Sequence, residues 1–157
     1  MAILVSGGAG YIGSHTCVEL LNAGFDIVVA DNYYNSCPAS LDRVRQITGK
    51  SFRFYEADMT NTADVERIFS ECGDIDAVIQ FAAYKAVGES TKKPIEYYSN
   101  NLMCTLNILD IMRRHNCKNF LFSSSATVYG NNNPMPVSED MPTSCTNPYG
   151  KANKVSI

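Results

Sequence analysis

Ile3-Leu4-Val5-Ser6-Gly7-Gly8-Ala9-Gly10-Tyr11-Ile12-Gly13-Ser14-His15 is the stretch that decides the fold. The apolar run Ile3, Leu4, Val5 predicts a short strand. Gly7, Gly10 and Gly13 follow at three-residue spacing, and Ile12, Cys17, Leu20 and Leu21 then recur at helical spacing. Strand, glycine turn and helix in this order make a nucleotide site; without that context a glycine triplet is an ordinary turn. Gly7 lets the chain turn sharply after the strand. Gly10 lets backbone approach a pyrophosphate, and Gly13 lets the helix pack closely on the sheet. The helix N-terminus adds free N–H groups and partial positive charge for phosphates.

The same alternation continues along the chain. Further strands are predicted at Asp26–Ala30, Phe52–Glu56, Ala77–Ala82 and Asn119–Ser123. Helices are predicted at Ile12–Ala23, Ser40–Ile47, Ala63–Cys72, Ile95–His115 and after Pro148. Strands alternating with helices imply a parallel sheet covered on both faces. Right-handed crossovers make this an α/β, doubly wound sheet of Rossmann type with strand order 3-2-1-4-5. Residues 131–148 hold Pro134, Pro136, Pro142 and Pro148 among several Asn and Ser, a long loop of the kind that often carries function.

The 157 residues suffice for one domain with a core, and 45% hydrophobic with 18% charged residues is a globular balance. A net charge of −3 without a basic block argues against a nucleic-acid partner. No apolar run approaches the ~20 residues of a membrane span. The chain enters its first strand without a basic region or cleavage signal. Six cysteines (Cys17, Cys37, Cys72, Cys104, Cys117, Cys145) are scattered without a C-x-x-C pair, which points to reduced thiols in a cytoplasmic protein and to no metal site.

Asp31 ends the second strand 18 residues beyond Gly13. A carboxylate there accepts from adenosine ribose hydroxyls and repels a 2′-phosphate, favouring NAD over NADP. It also suits a turn with Asn32. Asn35 and Ser36 lie in the same loop. Asp58, just past the third strand, either accepts from an adenine amine or caps the helix that starts near Asn61. Phe81, Ala82 and Ala83 close the fourth strand on the side where ligands bind. The fifth strand ends in Ser123-Ser124-Ser125, where a substrate would meet nicotinamide. Asn147-Pro148-Tyr149-Gly150-Lys151 then opens a helix, with Pro148 suited to its first turn. A phenol titrates near ~10, so Tyr149 needs a neighbouring positive charge to act as a base.

The segments SGGAGYIGSHTCVEL, DNYYNS, FAAYKAVGES, KPIEYYSNN, FSSSATVYG and TNPYGK resemble, in order, the N-terminal half of the UDP-glucose 4-epimerase family, within the extended short-chain dehydrogenases/reductases. KAVGES and SSSATVYG are more specific than the glycine motif. The related sugar-nucleotide dehydratases typically carry Thr-Asp-Glu at the serine stretch, so its absence favours epimerase. The resemblance implies that Tyr11 and Ile12 lie over the pyrophosphate. Asp31, Asn32, Asn35 and Ser36 would hold the adenosine ribose, and Asp58 with Met59 would flank the adenine. Phe81, Ala82, Ala83 and Lys85 would line the nicotinamide half, and Asn100 would contact the cofactor backbone. Ser125 matches the substrate-binding serine and Tyr149 the base. The implied reaction interconverts UDP-galactose and UDP-glucose. Tyr149 takes the 4-hydroxyl proton, hydride moves to bound NAD, and the 4-keto sugar turns over before hydride returns. The resemblance also implies a homodimer face on the helices at Ile95–His115 and after Pro148; Leu102, Leu106, Leu109 and Met112 serve that face or the core.

The sequence departs from that pattern in places. The family's Tyr-x-x-x-Lys has Asn153 at the lysine position, with Lys151 and Lys154 nearby. At 100° per residue, Lys154 lies about 140° and Lys151 about 200° around the helix from Tyr149. Tyr149 is therefore expected to be a poorer base. Gln80 and Ala83 stand where the family commonly has His and Gly. Family members run to roughly twice this length, so the resemblance implies truncation before the sugar-binding domain and an unpaired fifth strand. The tail Ala152–Ile157 lacks the expected amphipathic pattern, and a premature stop or frameshift after Lys151 would produce both features. The alternatives to an epimerase are a non-catalytic NAD-binding module, favoured by the missing lysine, and a related nucleotide-sugar dehydratase.

Overall fold

The computed structural model describes residues 2–156. Met1 and Ile157, the ends of the expected 1–157 domain, lie outside the described residues. In chain order the elements are β1 (Ala2–Ser6), α1 (Tyr11–Asn22), β2 (Asp26–Asp31), α2 (Pro38–Thr48), β3 (Arg53–Glu56), α3 (Thr62–Cys72), β4 (Ile75–Gln80), α4 (Val87–Lys92), α5 (Pro94–Arg114), β5 (Asn119–Phe122), a 3-10 turn (Ala126–Tyr129) and α6 (Pro148–Val155). The five strands form one parallel sheet in the order β3-β2-β1-β4-β5, as the alternation predicted.

Parallel strands must be covered on both faces, so their side chains sort to two cores. Leu4, Val28, Ala30 and Val78 meet Val65, Ile68 and Phe69 of α3 and Ile108, Ile111 and Met112 of α5. On the opposite face Val5, Ile27 and Val29 meet Cys17 and Leu21 of α1 and Leu41 and Val44 of α2. Strand alternation explains the split: Leu4 and Val5 are adjacent in sequence and belong to different cores.

The departures from the predicted boundaries have local causes. β4 stops at Gln80, not Ala82, because the Phe81 and Ala82 N–H groups both turn to the Ser6 carbonyl, at 2.9 and 3.1 Å. The six-residue α4 and the four-residue 3-10 turn were not predicted, being too short to carry a periodic apolar pattern. α6 runs regularly to Val155, with Gly150, Ala152 and Asn153 buried and Lys151, Lys154 and Val155 exposed. It is amphipathic after all. Its buried stripe is made of small and polar residues, which a search for large apolar side chains passes over. Among the described residues β5 pairs with β4 alone, and Leu121 on it is exposed.

A buried amide fixes the loop that leads from β3 towards the carboxyl edge of the sheet. Asn107 of α5 donates to the Met59 carbonyl (3.1 Å) and the Thr60 carbonyl (2.7 Å), and its Oδ1 accepts from Thr62 Oγ1 (3.1 Å). Asn107→Ala leaves those carbonyls unpaired in the interior. The expected loss is about 1–3 kcal/mol of stability, measured by urea unfolding.

Candidate functional site

The carboxyl ends of the strands open into one cavity, located where the strand order reverses beside β1. Its floor is the glycine turn. Gly7 has φ +74°, and a Cβ on it would stand 2.6 Å from the Ala82 nitrogen. A Cβ on Gly13 would run into the Gly7 carbonyl oxygen, so only glycine lets α1 begin this close to the turn. The N-cap of α1 is Gly10, with no side chain bonded to the helix end. The first-turn residues Tyr11, Ile12 and Gly13 line the cavity, which leaves their N–H groups as donors for an anion there.

Asp31 ties this floor to the neighbouring loop. Its Oδ2 accepts from the Ala9 N–H (3.0 Å), and its Oδ1 accepts from the Tyr33 N–H (2.9 Å) and Ser36 Oγ (2.7 Å). A carboxylate has about four acceptor positions, so one remains for a ligand hydroxyl. Asp31 is thus the turn residue of its loop, a role compatible with accepting from a ligand as well. Ser36 acts through it and does not itself line the cavity. Asn32 accepts the Tyr34 N–H at 3.0 Å. For Asp58 the capping alternative is corrected: Asn61 caps α3 by accepting from the Ala63 N–H. Asp58 Oδ1 instead accepts from the Thr60 N–H (2.8 Å) and hydroxyl (2.7 Å), and its side of the loop faces the cavity.

Of the other predicted residues, Asn35, Met59, Phe81, Ala82, Ala83, Lys85, Asn100 and Tyr149 also line the cavity. Ser125 does not. It is the N-cap of the 3-10 turn, where its Oγ accepts from the Thr127 N–H (3.3 Å) and Thr127 Oγ1 (3.0 Å), while Ser123 and Ser124 face the cavity. Gln80 is buried and turns away, its amide donating to Thr105 Oγ1 at 3.3 Å.

Tyr149 is placed by the start of α6. Asn147 Oδ1 accepts from the Gly150 N–H (2.8 Å), Pro148 fills the first turn, and a Cβ on Gly150 would lie 3.0 Å from the Thr127 carbonyl oxygen. The helix therefore seats directly on the turn after β5. Asn153 shares the cavity with Tyr149 and donates to the Tyr149 carbonyl at 3.0 Å, whereas Lys151 and Lys154 are exposed and absent from the lining. Sequence reading missed Tyr34, Ala57, Tyr84 and Cys104 in the lining. Cys104 reads as core because it sits on the buried stripe of α5. Tyr34 and Tyr84 lie in loops, where periodicity carries no signal.

This is an α/β protein with a glycine-floored cleft at the switch point of a doubly wound sheet and a tyrosine from α6 in the lining of the same cleft. The chain belongs to the NAD dependent epimerase/dehydratase family, which it matches over residues 3–156. It is 55% identical over 151 residues to the UDP-glucose 4-epimerase of Bacillus subtilis, a match covering 96% of this chain and 44% of that relative. The human UDP-glucose 4-epimerase is 52% identical, with 96% and 45% covered. Among solved structures, the UDP-glucose 4-epimerase of Bifidobacterium longum in complex with NAD+ and UDP superposes with a TM-score of 0.96 at 52% identity, covering 99% of this chain and 47% of that one. The chain thus spans less than half the length of these relatives. Among the described residues no helix is long and apolar enough to cross a membrane, and no cluster of metal-ligating side chains is found.

All six cysteines are free, and burial pushes the thiols of Cys17 and Cys104 up to about 12. The thiolate is the reactive form. In mildly alkaline buffer an aromatic disulfide reagent is expected to label the exposed Cys37 first. Cys17 and Cys104 should react only on unfolding, as peptide mapping of timed samples would reveal.

Proposed function

We propose that this chain is the NAD-binding, proton-transferring part of a nucleotide-sugar 4-epimerase acting on UDP-galactose and UDP-glucose in galactose metabolism. The observation that carries this reading is that one cleft holds Asp31 at the end of β2, the Gly7–Gly13 cradle after β1 and Tyr149 at the start of α6. NAD fits the residues present: glycine-lined backbone and uncapped N–H groups suit a pyrophosphate, and Asp31 keeps one acceptor position for a ribose hydroxyl. When bound, NAD supplies a reversible hydride acceptor, so a sugar 4-hydroxyl can be oxidised and reduced again without net redox change.

The chain's own residues hold and move the proton. Tyr149 takes it from the 4-hydroxyl and gives it back. Ser123 and Ser124 meet the sugar from the end of β5, and Ser125 supports them from the adjoining turn. Lys85 steadies the nicotinamide half, and Asn100 contacts the cofactor backbone. Asp58 and Met59 flank the adenine. The UDP-sugar domain corresponds to the part of the relatives beyond the matched length. The free thiols suit a reducing cytoplasm. On α5, Met103, Leu106 and Leu109 are exposed, and they suit the face of a homodimer; Met112 belongs to the core.

Calorimetric titration of the chain tests the cofactor reading. Saturable binding of NAD with none of NADP is the expected result, because Asp31 offers a 2′-phosphate an acceptor and no donor. Equal binding of both, or of neither, overturns it. Asn153 tests the chemistry. A lysine four residues after Tyr149 returns to its face of α6 and stabilises a phenolate. The chain as it stands is expected to show little or no epimerisation of UDP-galactose in a coupled assay, and Asn153→Lys is expected to raise it in the same assay.

A further inference from the structure

We propose that Tyr34 and Tyr84 form an aromatic clasp across the nucleotide cleft that sets how fast a bound dinucleotide leaves. The inference rests on the NAD-binding reading above and adds a retention device to it. Tyr34 follows β2 and Tyr84 follows β4, and both line the cavity. In the sheet, β1 stands between β2 and β4, so these two loops rise from strands roughly 10 Å apart, two inter-strand spacings. Their rings nevertheless meet, with centroids 4.8 Å apart at an angle of 32°. The contact therefore closes over the carboxyl end of β1, where the glycine cradle lies.

The two halves of the clasp differ. Tyr84 is anchored. Asn101 of α5 holds its backbone on both sides, accepting its N–H (2.8 Å) and donating to its carbonyl (3.0 Å). Its ring also meets Tyr97 edge-on at 5.5 Å, and Tyr97 donates to Glu89 Oε2 at 2.8 Å. Burial pushes the Tyr84 phenol up, so the ring stays uncharged. Tyr34 is the arm. It is 61% exposed and follows Tyr33, a non-glycine residue at φ +56°. Such a backbone persists only when its surroundings hold it. Here the Tyr33 ring packs on Phe54 and its N–H is bonded to Asp31. The arm thus hangs from the same carboxylate that faces the ribose position.

The test is a stopped-flow chase of NADH, followed by its fluorescence, from the 157-residue chain with excess NAD as competitor. Tyr34→Ala should release NADH about five- to tenfold faster, the factor that a lost aromatic pair carries, with association altered by less than about twofold. Tyr34→Phe keeps the ring contact while losing the hydroxyl that bonds Tyr84, and should release more slowly than Tyr34→Ala. Tyr34→Ala combined with Tyr84→Leu should release no faster than Tyr34→Ala alone, since both break one contact. Unchanged release in Tyr34→Ala, or additive effects in the double variant, overturns the clasp and leaves the NAD reading standing. Absence of NADH binding by the folded parent, with native circular dichroism, overturns both.

Discussion

The closeness with which α1 begins against the turn after β1 governs the rest of the molecule. With no side chain at Gly7 or Gly13, the helix end sits against the strand end and leaves its first N–H groups facing a concave surface. A parallel sheet gathers the ends of its strands on one side, so every following loop is delivered to that same surface. The loops after β2, β3, β4 and β5 and the start of α6 all contribute to one cavity for this topological reason. Function is therefore concentrated at one edge, while the two cores beneath it serve only to hold the strands in register.

Asp31 converts that placement into a defined shape. One carboxylate bonds the glycine turn through Ala9 and its own loop through Tyr33 and Ser36. Loss of any donor would leave a buried charge less well solvated, and this couples the glycine turn to the loop after β2. The Tyr84 anchor does the same on the other side of β1 through Asn101. Side-chain hydrogen bonds thus position both walls: Asp31 adds its own to the strand ladder that holds it, and Asn101 supplies those on Tyr84.

How much of this was legible in the sequence depended on the range of the signal. The glycine turn, the strand order and the cleft position follow from patterns within a few residues plus chain-handedness rules, and they were read correctly. The place of Asp31 at the carboxyl end of β2, in the cavity lining, was legible, but not its bond to Ala9, 22 residues away. The serine triplet illustrates a subtler failure. The three serines lie just beyond the end of β5, so no strand alternation sorts them, and which of them faces the cleft depends on the first bond the turn makes. Ser125 Oγ engages Thr127, and the cleft receives Ser123 and Ser124. Cys104 and Asn107 illustrate a third kind. Both lie on the buried side of α5, where a helical pattern says core, and no one-dimensional pattern tells a core residue from one that floors a pocket or pins a loop.

The pairing of Tyr149 with Asn153 shows how one helical period constrains chemistry. Residues four apart share a face, so only position 153 can place a side chain into the cleft beside Tyr149. Lys151 and Lys154, two and one positions off that register, are exposed, and neither lines the cleft. Asn153 spends its amide on the Tyr149 carbonyl, so it steadies the backbone that carries the phenol without adding charge to the site. The first turn of α6 is already over-determined by Asn147, Pro148 and the close seat of Gly150 on Thr127. Position of the phenol and supply of a positive charge are thus separable here. The fold secures the first through the helix start, and the second depends on a single side chain one turn further on.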